Sequence, residues 1–420
     1  MGRSPTVQPA ANSLRELQPA QLKNLLFLFV AGLSFWIGLT AMLPTLPAYI
    51  SDVGGSKQQV GLVMGSFAAG LLLFRPWLGR LADRRSRKLA VAIGTAVGGV
   101  APLGYWAVDS IPLLVAIRGF HGISIAAFTT GYSTLVVDWS PPDKKGELIG
   151  YMSLVVPIGM AIGTAGGGYL QAQVGYGPLF GLAGAIGLVG FALSSQVADA
   201  PSCDRGGAGG SQRFWQLLAS PRLRVPTAVL FLMGLVFGAI ASFLPLFIRD
   251  LGVALNPGLY YTIVALASFI VRTFAGRASD RYGRGAFITG SLLCYATAMV
   301  LLAGARTPAD FILAALVQGV GAGTLLPMSI ALMADRSAAN ERGRVYSICV
   351  GGFDLGIALA SPFVGVLAQA LGYRGLFALA AGLVAVALLV FVTRANRNLA
   401  HSLRFATGRS RDAYALEQTQ

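Results

Sequence analysis

One carboxylate in this chain is distinguished by its position. Asp354 lies in the middle of a long apolar run, whereas the other acidic residues lie in polar stretches or at the ends of apolar runs. An ionised carboxylate is costly to place in an apolar medium, so burial favours its neutral, protonated form. The position of Asp354 predicts a group that takes up and releases a proton. The alternatives are a fixed salt bridge to Arg118, a hydrogen-bonded packing acid, and a counter-ion for a cationic substrate.

A cation and an imidazole share one face of another apolar run. Arg118 and His121 are three residues apart, a spacing that places both side chains on the same side of a helix. A charged residue at membrane depth is expensive and usually functional, and histidine titrates near neutral pH. We therefore expect a functional polar cluster. In the structural alternatives, Arg118 extends to the membrane surface or His121 is a hydrogen-bonded packing residue.

The composition is that of a membrane protein. Of the 420 residues, 55% are hydrophobic and 12% are charged, whereas about a quarter of a soluble domain is charged. The 54 glycines fit membrane helices, in which small residues allow close approach. The three cysteines make no disulfide framework. Since the sequence shows no metal-ligand cluster, cofactor motif or nucleophile constellation, we expect no metal, no cofactor and no enzymatic activity.

Twelve apolar runs are long enough to cross a bilayer, which takes roughly 20 helical residues. We predict an all-α membrane protein with spans near 24–50, 58–79, 89–108, 111–137, 147–172, 177–197, 223–248, 258–276, 286–305, 308–333, 345–370 and 373–393. The longest break falls at the midpoint and is rich in glycine. The predicted domains are an N-terminal tail (1–22), a six-helix bundle (23–198), a linker (199–222), a second six-helix bundle (223–394) and a polar, basic, mobile tail (395–420).

Basic residues are distributed unequally about these runs. Of the 32 Lys and Arg residues, 25 lie on the side that carries both termini, four lie on the other side, and three lie within spans (Arg75, Arg118 and Arg272). Cytoplasmic loops are enriched in basic residues, so both termini are predicted to be cytoplasmic, in a bacterial-type inner membrane. The net charge of +15 does not indicate nucleic-acid binding, because the basic residues form no continuous face with interleaved aromatics.

The two halves of the chain repeat each other. The matching segments are 46–54 with 244–252, 75–84 with 272–281, 121–122 with 318–319, and Asp138 with Asp335. The offset is 197 or 198 residues each time. Halves of equal topology are related by an axis along the membrane normal, and such halves place a substrate cavity near the midplane at their interface.

The loops after spans 2 and 8 carry a shared motif. The segment Gly79-Arg80-Leu81-Ala82-Asp83-Arg84-Arg85-Ser86-Arg87-Lys88 resembles the loop signature of the major facilitator superfamily, G-x-L-a-D-r-x-G-r-k, and 276–284 repeats it. Ser86 replaces the second glycine, so the two turns should differ. The resemblance implies that the loop clamps the halves in the outward-facing state, through Gly79, Asp83, Arg84, Arg87, Gly276, Asp280 and Arg281. Arginines there could bridge to acids such as Asp138; in the alternative, they only set the topology.

Spans 4 and 5 extend the resemblance. The segment Arg118-Gly119-Phe120-His121-Gly122 is similar to the superfamily motif R-x-x-q-G, which implies that Arg118 and His121 take part in proton coupling. The span 5 residues that match the antiporter signature G-x8-G-x3-G-P-x2-G are Gly150, Gly159, Gly163 and Gly167, with Thr164 in place of the proline. Small residues at this spacing also form a smooth face, so Gly159, Gly163 and Gly167 are predicted helix-packing positions.

Candidate cavity residues follow from the predicted midplane site. Cavities of this kind are mostly apolar with a few polar groups. Residues of that character near the right depth are Phe35, Trp36, Tyr151, Phe237, Tyr261, Gln318 and Phe353. Each of them could instead face lipid or pack in a helix seam.

Together, these features resemble the twelve-span drug:proton antiporters. They predict a secondary transporter that exports a small organic solute or drug by alternating access in exchange for protons. The expected partners are a small-molecule substrate, protons and the lipid bilayer, and the expected state is a monomer. The nearest alternative is a proton-coupled importer or uniporter of a sugar, siderophore or other metabolite. A membrane sensor or a lipid flippase is more distant, since no loop is long enough for a soluble domain.

Overall fold

A computed structural model gives the architecture of the chain. The structure describes residues 17–141, 144–199, 216, 219–338 and 341–416. Within these ranges the regular structure is helical, because backbone groups in lipid must bond within their own segment. Eleven helical segments of the described chain are long and apolar enough to cross a membrane, and Val345–Ala360 is a shorter apolar helix.

The described helices form twelve spans, numbered here in chain order. The first six are Pro19–Ala41 with Leu46–Asp52, Lys57–Arg84, Arg87–Ala107, Ile111–Trp139, Lys145–Met152 with Val155–Val174, and Tyr176–Ser195. Spans 7 to 10 are Pro221–Asp250, Pro257–Tyr282, Arg284–Gly304 and Pro308–Asp335. Spans 11 and 12 share Arg342–Arg394, in which Gly372 turns the chain at φ 69°. The predicted all-α fold of two six-span halves is confirmed.

The repeat is visible in the backbone of the turns. Gly54 and Gly252 have φ values of 91° and 62°, and Gly175 and Gly372 have values of 83° and 69°. Glycine adopts this conformation readily because it has no Cβ. The members of each pair are 198 and 197 residues apart, the offset of the sequence repeat. The two halves therefore turn at equivalent places.

The turns after spans 2 and 8 differ, as the sequence predicts. Gly283 has a φ of 86°. Its counterpart Ser86 stays in the extended region, and its hydroxyl accepts a hydrogen bond from the Leu89 N–H at 3.0 Å. This bond satisfies one of the free donors at the start of span 3. A side-chain cap thus replaces a glycine turn.

The two ends of the bundle pack differently. We call the end that carries residues 17–19 and 395–416 the terminal face, and the end that carries the turns at 54, 175, 252 and 372 the distal face. One hydrophobic cluster joins both halves: it runs through the second half and meets the first half through residues near the distal face, including Ile50, Met64 and Leu179. Nearer the terminal face, the clusters around Leu135 and around Met333 each belong to one half. The halves are therefore closed together at the distal face.

The prediction of a mobile C-terminal tail is wrong for the described residues. Leu399–Ala406 forms an amphipathic helix, capped by Asn398. Phe405 and Ala406 are buried, and the Phe405 ring centroid lies 6.1 Å from that of Phe391 in span 12. The sequence of the tail is polar on average, which is why it predicts a mobile segment. Its short apolar face is buried against a surface that exists only once the second half has folded.

Span 5 packs on span 1 through glycines at four-residue spacing. A Cβ on Gly163 would meet Thr40 and Ile37, and one on Gly159 would meet Trp36. A Cβ on Gly167 would lie 2.7 Å from the Ala41 Cα, whereas one on the adjacent Gly166 would meet nothing within 4 Å. The backbones of the two spans approach closely because these positions lack a side chain.

We expect Gly167→Ala to lower the melting temperature of the detergent-solubilised protein, since overpacking a close contact costs about 1–3 kcal/mol. Gly166→Ala is the matched control, because it adds the same methyl group to the same helix in open space. It should leave the melting temperature unchanged within a degree or two. Equal losses in the two variants would contradict the packing role of Gly167.

Candidate functional site

An ion pair connects the two halves in the middle of the bundle. It joins Arg75 of span 2 to Asp354 of span 11, with side chains that are 23% and 11% exposed. Arg75 lies nine residues before the end of its helix and Asp354 lies twelve residues after the start of its own. At 1.5 Å per residue, both are about 14–18 Å from the terminal ends of their spans. A charge at this depth needs a partner, and here the other half supplies it.

The partner of Asp354 was missed in the sequence. The alternative that pairs Asp354 with Arg118 is wrong, because the acid is bound to Arg75. Arg75 directly precedes the loop motif, and its sequence context marks it only as a basic residue within a span. The signal that could have found it is its depth, since an arginine in an apolar run requires an anion.

Arg118 and His121 are buried within the first half, at 6% and 0% exposure. The Arg118 guanidinium carbon lies 4.4 Å from the Phe67 ring centroid, and Arg118 Nη1 donates to His121 Nδ1 at 3.4 Å. The Tyr105 hydroxyl lies 3.0 Å from the same nitrogen. Because guanidinium only donates, Nδ1 acts as the acceptor and the neutral ring carries its proton on Nε2. Arg118 does not extend to the membrane surface.

Span 4 carries a stripe of buried polar atoms that have no hydrogen-bond partner among the described residues. They are Arg118 Nε, His121 Nε2 and Ser124 Oγ, three residues apart along one helix face. Arg118 forms no ion pair within the described part of the chain. A buried polar group without a partner costs about 1–3 kcal/mol, and more when it is charged. A positively charged stripe that folding leaves unsatisfied is therefore a candidate functional element.

Four of the predicted cavity residues are partly exposed. They are Trp36, Tyr151, Phe237 and Phe353. The Phe237 and Phe353 rings lie 5.7 Å apart, and Phe353 precedes Asp354 in span 11. This aromatic pair from spans 7 and 11 therefore lies beside the ion pair that joins the halves.

The structure places the other three cavity candidates inside one half. Phe35 stacks on Phe128 with centroids 4.1 Å apart. The Tyr261 hydroxyl donates to the Ile240 carbonyl at 3.0 Å, and the Gln318 side-chain oxygen accepts a hydrogen bond from Tyr260. Each side chain is at most 5% exposed. They pack the bundle in this state, because their helix faces point into a half and not between the halves.

The loop motifs form equivalent ion pairs in the two halves. Arg87 pairs with Asp138, and Arg284 pairs with Asp335 at 3.0 Å. The partners correspond at an offset of 197 residues, and each pair joins neighbouring spans of one half. Arg84 is exposed, and a Cβ on Gly79 or Gly276 would meet nothing within 4 Å. The side chains of Asp83, Asp280 and Arg281 lie outside the described part of the structure.

Polar contacts accompany the apolar closure of the distal face. Asp52 forms an ion pair with Arg249 and accepts a hydrogen bond from Tyr176 at 2.7 Å. Thr164 Oγ1 of span 5 lies 3.0 Å from Thr262 Oγ1 of span 8. Thr164 stands where the antiporter signature has proline, so this departure supplies a hydrogen bond between the halves.

The chain is similar to known membrane proteins along most of its length. The model of the Major Facilitator Superfamily matches residues 28–270 and 227–409. The quinolone resistance protein NorA of Staphylococcus aureus is 29% identical over 172 residues, which cover 41% of this chain and 44% of the relative. The chain thus matches less than half of that protein's length. The multidrug resistance protein MdtG of Serratia proteamaculans is 25% identical over 374 residues, covering 84% of this chain and 90% of the relative.

A solved structure shares the fold. A mutant of the nucleoside transporter NupG superposes with a TM-score of 0.76, covering 87% of this chain and 98% of its own. The sequence identity is 13%, so the likeness concerns the fold alone.

We expect Arg75→Gln and Asp354→Asn each to lower the melting temperature, because each leaves one charge unpaired within the membrane. The double variant should be more stable than the summed losses predict, with a coupling energy of about 1–3 kcal/mol.

The exposed pair Arg249–Asp52, with side chains 59% and 34% exposed, is the control for this cycle. Arg249→Gln and Asp52→Asn should show coupling below about 1 kcal/mol. Additive losses at Arg75 and Asp354 would show that the two side chains do not interact.

Proposed function

The chain belongs to the Major Facilitator Superfamily and is a multi-pass membrane transporter of small molecules, not an enzyme; from this premise we propose that it exports an organic solute or drug in exchange for protons. The observation that carries the proposal is the titratable carboxylate of Asp354, which holds the halves together through Arg75. The resistance proteins among the relatives support a drug-like organic substrate.

We assign the terminal face to the cytoplasm of a bacterial-type inner membrane. The excess of Lys and Arg on that side supports this orientation, and both named relatives are bacterial. The distal face is then external. Since the halves are closed together at the distal face, the structure corresponds to an inward-facing state of the alternating-access cycle.

Asp354 is the proposed proton site. When it is ionised, its charge is compensated by Arg75 across the interface between the halves. Protonation neutralises the carboxylate and removes the attraction that joins span 2 to span 11, so the halves gain freedom to separate. Proton binding and the arrangement of the halves are therefore linked, which is the requirement for coupled transport.

Arg118 is proposed to support proton coupling from within the first half, without pairing with Asp354. Its buried charge lies 3.4 Å from His121 Nδ1 and disfavours a second positive charge on that ring. His121 then acts as a neutral hydrogen-bonding residue that orients Arg118, and Asp354 carries the proton. This assignment gives the residues of the span 4 motif distinct roles.

The proposed substrate region lies beside the ion pair, between the halves. Its lining includes Phe237 and Phe353, with Trp36 and Tyr151 on the first half. These side chains offer a mostly apolar surface for an organic solute, with Asp354 as the nearby charge. We propose that the monomer suffices for transport, because each substrate region is formed by the two halves of one chain.

The loop motifs are the proposed gate of the terminal face. In this inward-facing structure, the Arg87–Asp138 and Arg284–Asp335 pairs each stay inside one half. We infer that the loops, with Asp83 and Asp280, approach each other across the halves in the outward-facing state.

Substrate-induced proton movement tests the function. Everted membrane vesicles with an acidified lumen would be exposed to lipophilic cations, sugars, amino acids and siderophores. We expect an organic cation or drug to raise the lumenal pH in the wild type, because its transport into the lumen consumes the proton gradient. Asp354→Asn should abolish this signal at an unchanged level of protein in the membrane.

Asp109→Asn is the matched control for this assay, since Asp109 is an exposed acid in the turn before span 4. It should retain the proton movement of the wild type. Equilibration of a labelled solute without any dependence on protons would contradict antiport and identify the protein as a uniporter. Uptake of a solute together with protons would identify it as an importer.

A crosslink at the distal face tests alternating access. In a cysteine-free background, Thr164→Cys with Thr262→Cys should form a disulfide, since the two hydroxyl oxygens are 3.0 Å apart. Oxidation should reduce transport to background, because the distal face can no longer open, and reductant should restore it. Full transport by the crosslinked protein would rule out opening at this place. Either single cysteine variant serves as the control and should respond to neither reagent.

A further inference from the structure

The C-terminal tail is anchored by an arginine that the transport mechanism does not use. Arg336 follows span 10 and is 0% exposed. Its Nε and Nη2 donate to the two carboxylate oxygens of Asp412 at 2.6 and 2.9 Å. Its remaining contacts include the carbonyls of Arg222 and Ala395, both at 2.8 Å. This bidentate pair fixes the tail against the second half in a defined position.

An open pocket lies between the anchored tail and the second half, on the terminal face. The pocket has a volume of about 610 Å³. One wall is the loop motif between spans 8 and 9, and the other is the tail after its helix. The lining residues are Ser279, Tyr282, Gly283, Arg284, Leu332, Asp335, Phe405, Gly408, Arg409, Ser410, Arg411, Asp412 and Ala415.

Two of the arginines that line this pocket have no acidic partner among the described residues. Asp335 is paired with Arg284, and Asp412 is paired with Arg336 beneath the tail. Arg409 and Arg411 line the pocket, are exposed, and form no ion pair within the described part of the chain. Two guanidinium groups without acids give the pocket a net positive character and forked donors suited to oxyanions.

A third donor lies in the same pocket without a partner. The Ser410 hydroxyl oxygen is buried and makes no hydrogen bond among the described residues. It stands between the two free arginines in the sequence. Because protein atoms cover this oxygen, a ligand in the pocket reaches it only when the Ser410 side chain rotates. An oxyanion there would then supply the hydrogen bond that buried hydroxyls normally make.

We propose that this pocket binds a phosphate group through Arg409, Arg411 and the Ser410 hydroxyl. Charge-assisted bonds from arginine to phosphate match the chemistry of the lining. The pocket lies at the end of the bundle where spans 8, 9, 10 and 12 leave the membrane, so a phospholipid headgroup and a free phosphate are both possible sources. Basic clusters next to membrane spans attract anionic lipids in this way.

Native mass spectrometry of the purified full-length protein tests the site. The probes are dihexanoyl phosphatidylglycerol, dihexanoyl phosphatidylcholine and inorganic phosphate. We expect the anionic lipid to bind more tightly than the zwitterionic one, and Arg409→Gln with Arg411→Gln to weaken it about tenfold. Ser410→Ala should weaken it by a smaller factor. Competition by inorganic phosphate would assign the site to free phosphate, and no competition would assign it to the lipid.

Arg394→Gln with Arg404→Gln is the matched control. These arginines are exposed in the same region, and neither lines the pocket. The control should bind the anionic lipid as the wild type does. Equal affinity in all variants, or an equal loss in the control, would overturn the proposal, since binding would then reflect the general positive charge of the terminal face.

Discussion

Arg75 and Asp354 compensate each other's charge in the interior of the membrane. Neither side chain can be charged at this depth in a membrane without a counter-ion, because the hydration that it gives up must be replaced. The two residues belong to different halves, so the electrostatic need of each is met only when span 2 lies against span 11. A contact of this kind depends on protonation, whereas the apolar packing around it does not. The ion pair therefore connects the two halves in the middle of the bundle.

The remaining contacts between spans follow a different rule. In lipid, apolar surface gains little from contact with other apolar surface, so close packing has to come from small residues. Gly163 and Gly167 bring span 5 against span 1, and Gly234 brings span 7 against the Phe353 backbone of span 11. Glycine also permits close contact between the halves, because a Cβ on Gly258 of span 8 would clash with the Thr164 carbonyl oxygen of span 5.

The two halves share their turns and loop ion pairs but differ in the charged residues within their spans. The turns and the Arg87–Asp138 and Arg284–Asp335 pairs recur in both halves. Arg118 belongs to the first half alone, and Asp354 belongs to the second. The Arg336 anchor adds a further difference, because only the second half holds a C-terminal tail on its loop motif. The turns and the loop ion pairs are therefore repeated, whereas Arg118, Asp354 and the anchored tail are not.

The fold was accessible from the sequence, and the pairing of its charges was not. Apolar length, the repeat and the loop motif determine twelve spans in two halves, because bilayer thickness and backbone hydrogen bonding leave few alternatives. The depth of Asp354 and Arg118 also follows from the chain, since depth is a count of residues along a helix. Their partners do not, because helix rotation and the contact of span 2 with span 11 depend on packing between residues 279 positions apart. The burial of Phe35 and Gln318 and the anchoring of the tail by Arg336 were likewise decided by tertiary structure, which alone determines the helix face that meets a neighbour.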